Sequence, residues 1–164
     1  MTRYTTRPFP RYRYIPGRSP HPVRDPDGHS FGHGPAPLET FAEEDWPACV
    51  EYLYGIDLFN HRYWWEAHES LEQCWVAAGR TTELGLFLQG LIQVAVACLK
   101  LEQGFTDVAK RMAEDGLAKF PRDPRRLGIS VAELRRDICA HLQGTAPAPA
   151  IHLEGVPGEL RPRL

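Results

Sequence analysis

Between Glu83 and Glu102 apolar side chains run almost all the way round a helix: Leu84, Leu86, Phe87, Leu88, Leu91, Ile92, Val94, Val96, Leu99 and Leu101. A helix that is hydrophobic on every side needs neighbours on more than one side, so the rest of the chain must be arranged around this segment. Gly85, Gly90 and Ala97 leave little side-chain bulk where a second helix can approach closely. Gln89, Gln93 and Lys100 interrupt the run, and the segment is therefore expected to be a core helix and not a membrane span.

The flanking sequence supplies the neighbours. Asp45 followed by Trp46-Pro47 reads as a helix start, with the helix continuing to about Phe59. Asn60 is the expected N-cap of a second helix that runs to Ala78 and stops at Gly79. Beyond the apolar helix, Thr106 to Phe120 has helical spacing, and Ser130-Val131-Ala132-Glu133 is a capping box that opens a last helix to about Leu142. No strand pair is evident. The expected fold is all-α: a single antiparallel bundle of about five helices over residues 43–144, with an extended Pro/Arg/His-rich arm over 1–42 and a Pro-rich tail over 145–164. The expected core includes Leu53, Leu58, Trp64, Leu71, Trp75, Leu88, Leu91, Ile92, Ala95, Leu99, Val108 and Met112.

In the arm, Arg3, Arg7, Arg11, Arg13, Arg18 and Arg24 precede the first acid, Asp25, and are interleaved with Tyr4, Phe9, Tyr12 and Tyr14. So many aromatics suit an extended strap on the bundle better than a solubilising tail. Nucleic acid is not the expected partner, because the chain of 164 residues carries a formal net charge of −2 and no recognised module. The first residues have no apolar stretch of the signal-peptide kind, and Cys49, Cys74, Cys98 and Cys139 sit singly in helical patterns, as reduced buried thiols would. A cytoplasmic protein is expected, with no membrane partner.

The second helix carries the unusual chemistry. Residues 59–75 crowd three Trp, two His and three Glu together. At 100° per residue Trp64, His68, Leu71 and Trp75 share one stripe, with Glu72 and Trp65 at its shoulder, while Glu66 and Ser70 fall opposite. His68 and Glu72, spaced i,i+4, are thus expected to face inward and to find partners in Gln93 and Gln89 of the next, antiparallel helix. Asn60, Glu69 and Trp75 complete the expected ligand-binding set.

Phe59-Asn60 with Tyr63, then Glu66-Ala67-His68-Glu69 with Glu72 and Trp75, then Gln89-Gly90-Leu91-Ile92-Gln93 with Ala95, resembles the domain-of-unknown-function family numbered 309, a set of small helical bacterial proteins. The resemblance covers roughly Glu43 to Leu117. It departs at Arg62, where that pattern often has Gly, and at Trp64, where it often has Phe. Tyr14-Ile15-Pro16-Gly17-Arg18 and Pro20-His21-Pro22 also resemble an arm found in part of that family. The resemblance implies a helical fold and a shared polar site, with no assigned activity.

Three function classes follow. A bundle that binds a small polar ligand or a partner segment needs only the polar pocket and its aromatic walls. A metal-dependent or acid-base hydrolase built on His68 and Glu72 needs a further donor, for which His21, His29 or His33 folding back is the candidate; the zinc-peptidase and di-iron spacings are absent. A structural or protein-interaction module would use the buried pair for specificity alone.

Overall fold

A computed structural model describes residues 3–156. The protein is all-α: a 3-10 turn over Glu43–Ala48, then α1 (Val50–Asn60), α2 (Trp64–Ala78), α3 (Glu83–Glu102), α4 (Thr106–Leu117) and α5 (Val131–Leu142). Helix α3 sits between α2 and α4, and α1 packs on α2. The all-round apolar pattern requires that central position: Phe87, Leu88, Leu91, Val94 and Ala95 are fully buried. By length and hydropathy α3 could cross a membrane, but more than half of it is covered by protein, as in the core helix of a bundle. Thr82 caps it, its hydroxyl accepting from Gly85 N at 2.9 Å.

Several boundaries differ from the sequence reading. The first helix is divided: the 3-10 turn containing Pro47 ends at Cys49, which is extended (φ −79°, ψ 101°), and the α-helix starts only at Val50. Asn60 is the last residue of α1 and not the cap of α2. Ser130 stands at the N-cap of α5, but its hydroxyl makes no cap hydrogen bond. A small hairpin was unforeseen: β1 (Arg125–Arg126) pairs antiparallel with β2 (Ile129–Ser130). Leu127 (φ 49°) and Gly128 (φ 76°) form its two-residue loop, and positive φ at both positions is the mark of the type I′ turn that matches strand twist. Of the expected core, Trp75, Ile92, Val108 and Met112 are only half-buried, and of the four free cysteines Cys74 and Cys98 are buried, Cys49 is half-buried and Cys139 is exposed.

Both extended segments are tied to α1, each by one polar residue on its buried side. Asp57, with no exposure, accepts from Tyr4 N at 2.7 Å, Thr5 N at 2.9 Å and Thr5 Oγ1 at 2.7 Å, which fixes the start of the arm. Three residues on, Asn60 donates from Nδ2 to Ile151 O at 2.8 Å and accepts from Ile151 N at 2.6 Å, offering its amide to the tail as a neighbouring strand would. Ile151, Leu153 and Val156 are buried, so the tail does strap across the bundle; Pro157 and Pro162 lie outside the described residues.

Further along the arm, Phe9 stacks on Tyr63 at 5.1 Å, and the hydroxyls of Tyr54 and Tyr63 donate to the carbonyls of Pro8 and Pro10. Three of the arm's arginines are engaged on the body: Arg3 with Asp57 at 3.7 Å, Arg7 with Glu51 at 2.8 Å and Arg13 with Glu102 at 3.1 Å. The arm packs along the helices over most of its length.

Candidate functional site

The expected polar cluster does not form. His68 Nδ1 donates to Trp65 O at 3.0 Å, within its own turn, and His68 Nε2 lies 3.8 Å from Glu72 Oε2, an ion-pair separation outside hydrogen-bonding distance. The Glu72 side chain is 43% exposed. Gln93 faces α4, where its Cβ lies against Gly116, and its amide oxygen is buried without a partner; Gln89 is half-buried and makes no hydrogen bond to the motif helix. Asn60 is committed to the tail. Trp75 is half-buried, its indole N–H donating to Arg80 O at 3.3 Å.

The reason is that the buried face of α2 keeps Trp64 and Leu71 but is rotated from the centre of the indole stripe toward Glu66 and Ser70. Trp64, Leu71 and Cys74 are interior, but Glu66 and Ser70, placed opposite them by the helical wheel, are each only 5% exposed. Ser70 faces α1, its hydroxyl donating to Glu51 O at 2.9 Å. Glu66 is covered by the arm. A carboxylate can be buried there because the arm brings donors to it. Glu66 Oε1 accepts from Tyr14 N at 2.8 Å and from His29 Nε2 at 2.9 Å, and the His29 side chain is 4% exposed. His29 Nδ1 in turn meets Ser30 Oγ at 2.8 Å.

Glu66, Ser70, His29 and Ser30 line a cleft of about 280 Å³ between the arm and the α1/α2 pair. Its polar lining includes Arg7, His33, Glu51 and Glu69 besides Glu66, His29, Ser30 and Ser70. Glu66 Oε2, also buried, has no hydrogen-bond partner among the described residues. Burial pushes the Glu69 carboxyl up to about 7, and the neighbouring Glu66 charge adds to the shift. Of the residues expected from the sequence, then, Glu69 lines the cleft, whereas His68, Glu72, Gln89, Gln93, Asn60 and Trp75 do not.

Residues 52–112 match the family model described as a domain of unknown function, DUF309. That segment of the chain is similar to DUF309. No curated protein matches the chain. The matched segment comprises most of α1, all of α2 and α3 and the first half of α4, so it contributes Tyr54, Leu58, Glu66, Glu69 and Ser70 to the cleft. His29, Ser30 and His33 come from the arm, outside the matched DUF309 segment. The expectation that an arm histidine folds back onto the motif helix holds for His29, but its partner is Glu66 and not the His68/Glu72 pair. His21 stands edge-on to Trp65 with ring centres 5.8 Å apart. Among the described residues no three His, Cys, Asp or Glu side chains converge as a metal-binding set.

Sequence reasoning missed Glu66, Ser30, Glu51 and Ser70. Glu66 stood in the Glu-Ala-His-Glu block, but its donors lie 52 and 37 residues away, a pairing no helical periodicity can register.

Proposed function

We propose that the protein is a binding module for a small polar ligand with a positively charged or hydrogen-bond-donating group. The ligand enters the cleft between the arm and the Glu-Ala-His-Glu helix. The observation that carries this reading is Glu66: one of its carboxylate oxygens has two donors, and the other is buried in the lining of the cleft with none. A buried carboxylate oxygen without a donor costs about 1–3 kcal/mol, and a ligand N–H or O–H reached by a small shift of the arm removes that cost. The charge of the lining supports the same class. Glu51 is paired with Arg7 and Glu66 with His29, whereas Glu69 has no cationic partner among the described residues. The four free cysteines fit a reducing compartment such as the cytoplasm.

Thermal-shift titration with ethanolamine and putrescine, with uncharged glycerol as the control, tests this. A ligand that binds only the folded state raises its stability by mass action. The amines should raise the Tm of the wild type, and the Glu66→Gln variant should lose most of that rise. Equal shifts in both proteins, or none in either across the amine series, would exclude the cleft as the ligand site.

A further inference from the structure

Building on the cleft as a ligand site, we infer that Ser30, His29 and Glu66 form a nucleophilic relay, which makes the arm half of an acyl-transferring site for small uncharged or cationic carboxylic esters. The atoms fall in the required order. Ser30 Oγ lies 2.8 Å from His29 Nδ1, and His29 Nε2 lies 2.9 Å from Glu66 Oε1. Such a constellation is recognised by geometry and role and not by sequence position.

The tautomer follows from the partners. A carboxylate can only accept, so the imidazole proton of neutral His29 belongs on Nε2, where Glu66 holds it. Nδ1 is then left with its lone pair facing the Ser30 hydroxyl, and that hydroxyl donates to it. This is the arrangement of a hydroxyl nucleophile, a base and an orienting carboxylate, with the two ring nitrogens used in the opposite sense to the familiar triad. Ser30 and His29 both line the cleft, whose volume admits a short ester.

The reaction needs only the ester and water. Ser30 Oγ bonds to the acyl carbon as its proton passes to His29 Nδ1. The imidazolium, doubly protonated and paired with Glu66, returns that proton to the departing alcohol oxygen as the ester C–O bond breaks. Water then attacks the acyl-Ser30 carbon, giving its proton to Nδ1, and the acid leaves as Ser30 recovers a proton from the imidazolium. Arg7 is the group in the lining with the charge that a tetrahedral oxyanion requires. The carboxylates Glu51, Glu66 and Glu69 in the same lining select against acyl groups that are themselves anionic.

The test is labelling of the native full-length chain with a fluorophosphonate probe, peptide mapping of the adduct and hydrolysis of p-nitrophenyl acetate. Ser30 should carry the adduct, and Ser30→Ala should abolish both labelling and hydrolysis while its Tm stays at the wild-type value. Glu66→Gln should slow labelling about tenfold or more, because an amide no longer fixes the tautomer. An unlabelled wild type, an adduct elsewhere, or unchanged hydrolysis by Ser30→Ala would overturn the inference. Since labelling is read on the wild type, a folding defect in a variant does not blunt the result. A wild type that binds amines but is not labelled removes the chemistry alone, whereas a wild type that neither binds amines nor is labelled removes the cleft as a ligand site.

Discussion

Gly90 and Gly116 face one another where α3 crosses α4, and neither has room for a Cβ. A methyl on Gly90 would stand 2.7 Å from Gly116 O and 3.0 Å from the Phe120 ring, and one on Gly116 would stand 2.8 Å from Gly90 O. The obstacle on each side is backbone, which cannot rotate away. Gly90→Leu should therefore destabilise by roughly 1–3 kcal/mol or more, because the two helices must separate to admit the side chain. Thermal or urea unfolding measures this, and a Gly90→Leu variant that melts with the wild type contradicts the crossing.

Asp57 holds the start of the arm through three hydrogen bonds to Tyr4 and Thr5. In Asp57→Ala, two backbone N–H groups and one hydroxyl lose their acceptor, a loss of roughly 2–5 kcal/mol if the arm stays in place. The arm is expected to lift instead. Limited trypsin digestion should then cut at Arg11, Arg13 and Arg18 much faster in the variant than in the wild type, while helical circular dichroism is retained. Equal cleavage rates would show that the other arm contacts suffice.

Arg62 has φ of 66°, in the left-handed region that disfavours any residue with a Cβ. This is the position at which the resembled family pattern often carries glycine, and the turn between α1 and α2 gives the physical reason. Arg62→Gly relieves about 1–2 kcal/mol of backbone strain but frees the unfolded chain by roughly 0.5–1 kcal/mol. The distant pairing of Arg62 with Glu102, at 4.0 Å on an exposed side chain, contributes little. The expected outcome is a stabilisation of up to about 1 kcal/mol in chemical denaturation; a clear loss would assign Arg62 a contact of greater weight.

Glu69 makes stability depend on pH with a sign that its direction of shift fixes. Its carboxyl is raised from an ordinary 4.5 to about 7 in the folded protein, first by burial and then by Glu66. Below pH 4.5 both states hold the proton. Between pH 4.5 and 7 the folded state retains a proton that the unfolded chain has lost, so stability falls as pH rises. The carboxyl is partly solvated, which limits the loss to no more than about 2 kcal/mol. Glu69→Gln should remove this decline, so that variant and wild type differ most above pH 7. A wild-type decline that persists unchanged in Glu69→Gln would place its source elsewhere.

The helices themselves were legible in the sequence because the signals that make them are local. Apolar spacing placed α3 in the middle, and the glycine at position 90 marked its close crossing, because bulk and periodicity act within a few residues of where they are read. The aromatic-rich arm was likewise recognisable as a strap. What the sequence left undetermined was which side of α2 turns inward. That helix carries Trp and His on one side and Glu66 and Ser70 on another, and each side can be buried if it is given suitable partners. The wheel favoured the indole side for His68 and Glu72. Tertiary structure decided otherwise, because Tyr14 N and His29 Nε2 reach Glu66 from the arm while α1 presents Glu51 to Ser70. Burying a carboxylate depends on donors supplied by distant segments, and a local pattern contains no information about them.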